Sequence, residues 1–215
     1  TLIPVFLGSG ISQIGIEELL NFIEDYMPAS SEMPPLKAKN QNGEEIEVPR
    51  AETSKLSGVV FKTYNDPFMG RISYLKVRSG TLVSNSNFYN STQNSKERIG
   101  QLFRLKGKKQ ELVPQALSGE IVAVAKLTGF KTFDSFSDVS FPIVYPVSPM
   151  PEAAVSFSIA PRLKGTEDKL GVAISKIMDE DPTIKIFRDV ETNETIISGM
   201  GDVHLDVTIN KFKDK

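Results

Sequence analysis

Phe61-Lys62-Thr63-Tyr64-Asn65-Asp66-Pro67-Phe68-Met69-Gly70-Arg71-Ile72 is the stretch that decides the fold. It links one β-rich run, Val59-Val60-Phe61, to a second, Ile72 to Val77, through the turn signal Asn65-Asp66-Pro67. Branched and aromatic side chains suit a pleated, half-buried surface, whereas Asn, Asp and Pro suit turns. The rhythm repeats downstream. Phe88-Tyr89, Ile99 to Leu105 and Ile121 to Leu127 are β-rich, and Ser79-Gly80, Gln93-Asn94-Ser95 and Ser118-Gly119 punctuate them. Many short strands with regular turns predict a closed β-barrel over residues 55–145.

Towards the N-terminus, Pro28, Pro34, Pro35 and Pro49 sit among polar residues. Residues 31–54 therefore read as a linker, with one short hairpin around Asn42-Gly43. Residues 2–7 are apolar and end at Gly8-Ser9-Gly10, which suits a buried strand. Ile16, Leu19, Leu20, Ile23 and Tyr26 recur at helical spacing until Pro28. The first thirty residues thus read as strand, turn and helix.

Towards the C-terminus, Pro142, Pro146, Pro149 and Pro151 mark a second junction. Val155, Phe157 and Ile159 read as a strand. Leu170, Ile174 and Ile177 read as a helix, with Thr166 as its N-cap and Pro182 beyond its end. Ile184-Lys185-Ile186 and Thr195-Ile196-Ile197 read as strands joined near Thr192-Asn193. This βαββ order predicts an α+β sandwich of ferredoxin type, cut short. Val203, Leu205, Val207 and Ile209 alternate as in a strand, while Leu205, Ile209 and Phe212 also fit a helical stripe.

With 215 residues, a net charge of −2 and no cysteine, the chain has room for one large domain or two small ones and no disulfide or thiolate chemistry. Near-neutral charge confines any nucleic-acid contact to a local patch. No apolar run approaches the roughly 18 to 20 residues needed to span a bilayer. No basic stretch precedes the first apolar run, so no signal peptide is expected. The chain opens on Thr1 rather than Met, and it reads as the interior of a longer protein.

No Gly-x-x-x-x-Gly-Lys-Ser/Thr run is present to cradle phosphates. Asp168-Lys169-Leu170-Gly171 matches a GTPase switch by letter but falls within the expected helix. Asn210-Lys211-Phe212-Lys213 puts Lys213 where a guanine-reading site needs a carboxylate. From Lys96 to Lys109, the cations Lys96, Arg98, Arg104, Lys106, Lys108 and Lys109 face one acid, Glu97. Such a concentration reads as a phosphate-contacting edge, because each cation can neutralise a phosphate and release counterions. Asp202, His204 and Asp206 could form a metal site only on a strand; on a helix the middle residue turns away, so none is expected.

Two stretches resemble elongation factor G, the GTPase that moves tRNA and mRNA through the ribosome. In the first, Asn65-Asp66-Pro67-Phe68-Met69-Gly70-Arg71 is similar to that family's Ala-Asp-Pro-Tyr/Phe-x-Gly-Arg/Lys loop. Val77-Arg78-Ser79-Gly80-Thr81-Leu82, just after it, is similar to Val-Tyr-Ser-Gly-Thr-Leu. The second is Thr195-Ile196-Ile197-Ser198-Gly199-Met200-Gly201-Asp202-Val203-His204-Leu205-Asp206-Val207. It resembles Gly-Met-Gly-Glu-Leu-His-Leu-Glu, with Asp202 and Asp206 in place of both Glu and Val203 in place of Leu. Phe6-Leu7-Gly8-Ser9-Gly10 resembles the fifth GTPase motif, with Gly10 for Ala. Gln101 to Glu111 is more similar to the paralogue class of that factor than to its housekeeping form.

The resemblance implies a multi-domain β and α+β chain. Residues 1–30 would end a GTPase domain and 31–54 would link it to a translation-factor-type β-barrel, residues 55–145. An incomplete ferredoxin-like βαββα domain would follow at 150–215, its last segment a helix. Ser9 and Gly10 would be a remnant guanine-contacting loop, unable to bind nucleotide alone. Arg71, Lys96, Arg98, Arg104, Lys106, Lys108 and Lys109 would meet RNA. Gly199, Met200, Gly201, Asp202 and His204 would lie between domains. No catalytic residue, metal ligand or cofactor is expected here; GTP and magnesium would belong to the whole protein. The implied partners are the ribosome, mainly small-subunit RNA and protein, and the protein's own GTPase domain, in the cytoplasm and away from membranes. The alternatives are the same domains of a tetracycline-resistance ribosome-protection or release-factor GTPase, or a stand-alone RNA-binding module.

Overall fold

A computed structural model describes residues 3–66, 68–107, 109–161 and 167–213. The apolar run at the start forms no strand, contrary to expectation. Leu7 is 89% exposed, and a single Ser9–Ile14 bridge is the only β-pairing there. An apolar run becomes a buried strand only between partners, and no described strand lies beside this one. Helix α1 (Ile16–Tyr26) follows Gly15 and buries none of its residues. Phe22 stacks on Tyr26 with centroids 5.1 Å apart and meets Phe6 at a tilt, 5.0 Å away.

The expected linker is ordered. Strands β1 (Leu36–Asn40) and β2 (Glu45–Val48) form a hairpin whose turn is tied by Asn40 Oδ1, which accepts from the N–H groups of Asn42 and Glu44. Ala38 and Val48 turn inward with Ile143 and Tyr145 to make a small core of their own.

The barrel begins with two long antiparallel strands, β3 (Ser57–Asp66) and β4 (Gly70–Ser79). Along β4 the side chains of Leu75 and Val77 point into the barrel, while those of Tyr74, Lys76 and Arg78 take the opposite face. Register shifts at Ser57/Gly58 and Val60/Lys62 bend β3. The chain continues through β5 (Thr81–Val83), β6 (Asn87–Asn90), β7 (Ser95–Arg98), β8 (Leu102–Lys106), β9 (Lys109–Val113) and β10 (Gln115–Leu117). It closes with β11 (Ile121–Ala125) and β12 (Ser135–Ser137). The main sheet runs β7-β6-β12-β3-β4-β11-β8-β9, and β5 pairs with β10. Nearly every one of these strands sends a residue into one core. At its centre Phe88 stacks on Phe130 at 4.9 Å and meets Phe136 edge-on at 5.5 Å. Gly80 turns β4 into β5 at φ +72, where an added Cβ would lie 2.6 Å from Leu56 backbone atoms. Strand β13 (Ile143–Val144) then returns to β1, pairing Val144 with Lys39.

The third unit is α+β, as the pattern predicts. Strand β14 (Val155–Ile159), helix α2 (Glu167–Glu180), strands β15 (Lys185–Arg188) and β16 (Thr195–Gly199) and helix α3 (Asp202–Lys213) follow in turn. The sheet order β14-β16-β15 puts β14 at an edge and β16 in the middle. Residues 203–209 are helical, so the period-two alternation there was misleading. Leu205 alone of its group is fully buried, against Ile177, Ile184 and Ile197. The expected N-cap, Thr166, lies outside the described residues.

That four-residue core is small beside the barrel's, which buries fourteen apolar residues among those described. One edge of its sheet, β14, also has no described partner beyond β16. Amides of residues 184–212 should therefore exchange with solvent faster than those of residues 57–127. Equal protection in native-state hydrogen exchange would contradict this ranking.

Candidate nucleic-acid interface and interdomain joint

The basic stretch divides into two groups when folded. On β7, Glu97 pairs with Phe88 and shares its inward face, packing over Gly129. Lys96 and Arg98 alternate to the outer face and are exposed. No ion pair or hydrogen bond to a carboxylate engages either cation among the described residues. The second group sits at the far end of the sheet, on β8 and β9. There Arg104 is bonded to Glu120, and Lys106 lies 3.4 Å from Glu111. Lys109 is exposed, and Lys108 falls outside the described residues. Sequence proximity thus overstated one patch: two of its six cations, Arg104 and Lys106, already face carboxylates of their own fold.

Arg71, expected to meet RNA, is committed elsewhere. Its side chain is only 16% exposed; one Nη lies 3.4 Å from Asp179 on α2 and the other donates to the Phe130 carbonyl. This is the centre of a joint between barrel and third domain. Asn65 donates its backbone N–H to Glu180 and its amide to the Lys176 carbonyl, both at 3.1 Å. Thr132 donates to the Asp179 carbonyl at 3.2 Å. A helix C-terminus carries partial negative charge and unbonded carbonyls, so a guanidinium and two neutral donors are apt partners. No sequence pattern pointed to Asn65, Thr132 or Asp179 as a set, because they come from three distant elements.

The Gly199-to-His204 segment turns β16 into α3. The Met200 N–H donates to His204 Nδ1 at 3.2 Å, so the ring proton sits on Nε2 and is donated to Asp181 at 2.9 Å. Burial raises the Asp181 carboxyl, but bonds from Thr183 and His204 outweigh it and leave the group below its ordinary range. An added Cβ on Gly199 would lie 2.8 Å from Leu205, which explains the glycine at that close approach. Gly201 is open, and Met200 is half-exposed. Asp202 opens α3, where an acid favours the helix N-terminus. The hydrogen bonds described for this segment stay within the third domain, so its expected place between domains gains no direct contact here. At the N-terminal turn, Ser9 N–H bonds to the Ile14 carbonyl and Ser9 Oγ accepts from Ser12 N–H. Gly10 is exposed, and an added Cβ there would meet open space.

Both domains have counterparts among known proteins. The model for elongation factor G domain 2 matches residues 55–139, and that for elongation factor G domain III matches residues 150–215. A crystal structure of a protein from Thermus thermophilus superposes with a TM-score of 0.77 at 26% identity, covering 97% of this chain and 29% of that one. The chain therefore spans less than a third of that relative's length. It belongs to the elongation factor G family. Its two domains are those of a translation elongation factor: a β-barrel and an α+β unit.

Proposed function

We propose that these domains serve, within a longer GTP-hydrolysing factor, to couple nucleotide hydrolysis to the movement of tRNA and mRNA on a cytoplasmic ribosome. The barrel would rest on small-subunit ribosomal RNA and protein, and against the factor's own GTPase domain. One observation carries the reading. The C-terminal end of α2 holds Arg71 of the barrel through Asp179, and two residues later Asp181 holds His204 at the start of α3. A shift of the barrel would thus reach the Gly199–His204 turn through one rigid helix, the kind of packed element that relays two-state motion. No described helix is long and apolar enough to cross a membrane.

Ribosome binding tests the reading. Reversing Lys96 and Arg98 to Glu should weaken binding to small subunits about tenfold at low salt, since each removes a phosphate contact. Reversing Arg104 and Lys106 should do less, because Glu120 and Glu111 already offset them. Equal binding by the Lys96/Arg98 variant and wild type in filter assays would leave that edge as solvated surface.

A further inference from the structure

A second group of cations lies on the outer wall of the barrel, outside the basic stretch. Lys76 and Arg78 are two apart on β4 and share its outer face. The segment carrying Arg50 runs alongside: Ser79 Oγ donates to the Pro49 carbonyl at 2.7 Å, and Gly80 N–H to the Ala51 carbonyl at 2.9 Å. Arg50 Nε donates to the Pro34 carbonyl at 2.8 Å, and Lys76 Nζ donates to the Gly119 carbonyl. The Arg78 guanidinium lies over the Tyr145 ring, 5.1 Å from its centroid. Its Nε is buried and has no hydrogen-bond partner.

No carboxylate pairs with any of the three among the described residues. Across from β4, where Val77 N–H bonds the Glu120 carbonyl, the Glu120 carboxylate is taken up by Arg104 and by the Leu117 N–H. Burial foremost, then the charges of Arg78 and Arg50, hold the Lys76 amine below the usual lysine range. Burial, and more weakly Arg50, likewise lower Arg78 against an opposing effect of Tyr145. Three half-shielded cations repel one another, and an unpartnered buried N–H adds its own desolvation cost. A multivalent anion at the Nη end of the Arg78 guanidinium would relieve the repulsion, and that planar fork suits the oxygens of phosphate.

We propose that Arg50, Lys76 and Arg78 form an anion site on the outer wall of the barrel that takes a backbone phosphate of RNA. The RNA source rests on the ribosomal reading above; the anion site rests on the geometry alone. Two arms separate them. In the first, inorganic phosphate is titrated into the protein at constant ionic strength while the Arg78 Nε–H resonance is followed. The resonance should move saturably, and Arg78→Met should abolish phosphate-dependent stabilisation without lowering the melting temperature measured in chloride. In the second, Arg78→Met and Lys76→Met should each weaken binding to small ribosomal subunits roughly tenfold and reduce the salt slope by about one. Arg78→Lys, which keeps charge and loses the fork, should fall between. An Arg78 resonance that ignores phosphate overturns the site. A phosphate response combined with wild-type ribosome affinity in both variants overturns the RNA assignment and leaves a site for free phosphate. If wild-type protein does not bind subunits and the Lys96/Arg98 reversal changes nothing, the ribosomal reading falls and takes the RNA assignment with it.

Discussion

Gly58→Ala should cost the barrel about 3 kcal/mol or more, a large share of the roughly 5–15 kcal/mol that keeps a domain folded. Gly58 sits at a register shift in β3, opposite Phe136 of β12. A Cβ there would lie 2.3 Å from Phe136 Cζ and 2.4 Å from the Lys76 carbonyl oxygen. The first neighbour is a fully buried ring packed edge-on against Phe88; the second is backbone in the adjacent strand. Neither can retreat without opening the core or the β3–β4 ladder. Gly43→Ala is the contrast: its φ is +81 but open space surrounds it, so the cost should stay near 1 kcal/mol. Urea melts of the two variants should differ accordingly. A Gly58→Ala midpoint close to wild type would mean that the barrel wall yields far more than close packing allows.

Arg71→Asp should separate the two domains in stability, at a cost near 2 kcal/mol to their contact, discounted for partial solvent access to the pair. The substitution removes the cation facing Asp179 and puts a second carboxylate beside the electronegative end of α2. Asn65 and Thr132 would then hold α2 through hydrogen bonds from neutral donors only. The third domain, with its small core, should melt in a separate, earlier transition. Asp179→Arg in the same chain should restore much of the loss. Coincident melting of both domains in Arg71→Asp, followed by domain-specific resonances, would show that the ion pair contributes nothing to the joint.

The barrel was legible because its strands alternate in and out around turn residues, a pattern written in neighbouring positions. Leu36, Ala38, Ile46 and Val48 also alternate, with Lys37, Lys39, Glu45 and Glu47 between them. The surrounding prolines drew attention away from that signal, and the pairing with Ile143 is a hundred residues distant. Residues 3–7 show the opposite error: apolarity alone read as burial. For α3, local alternation of Val203, Leu205 and Val207 argued for a strand, and only the family resemblance argued for a helix; the single buried residue, Leu205, shows how little that alternation owed to packing. The basic stretch was visible as composition. Which of its members remain free was not, because Glu120 and Glu111 reach Arg104 and Lys106 only once β8 lies between β11 and β9. The joint at Arg71 was invisible for the same reason: its partners meet only in three dimensions.

The pairing of β1 with β13 brings together the points where the chain enters and leaves the barrel. Because the strands are antiparallel, the chain before Leu36 and the chain after Val144 depart from the same end of that contact. Tension carried along the chain between the leading segment and the third domain would therefore meet these two pairs first and open them one at a time, like a zip. Load on the third domain thus has two routes, one along the chain into this clasp and one through α2 and Arg71 into the barrel wall.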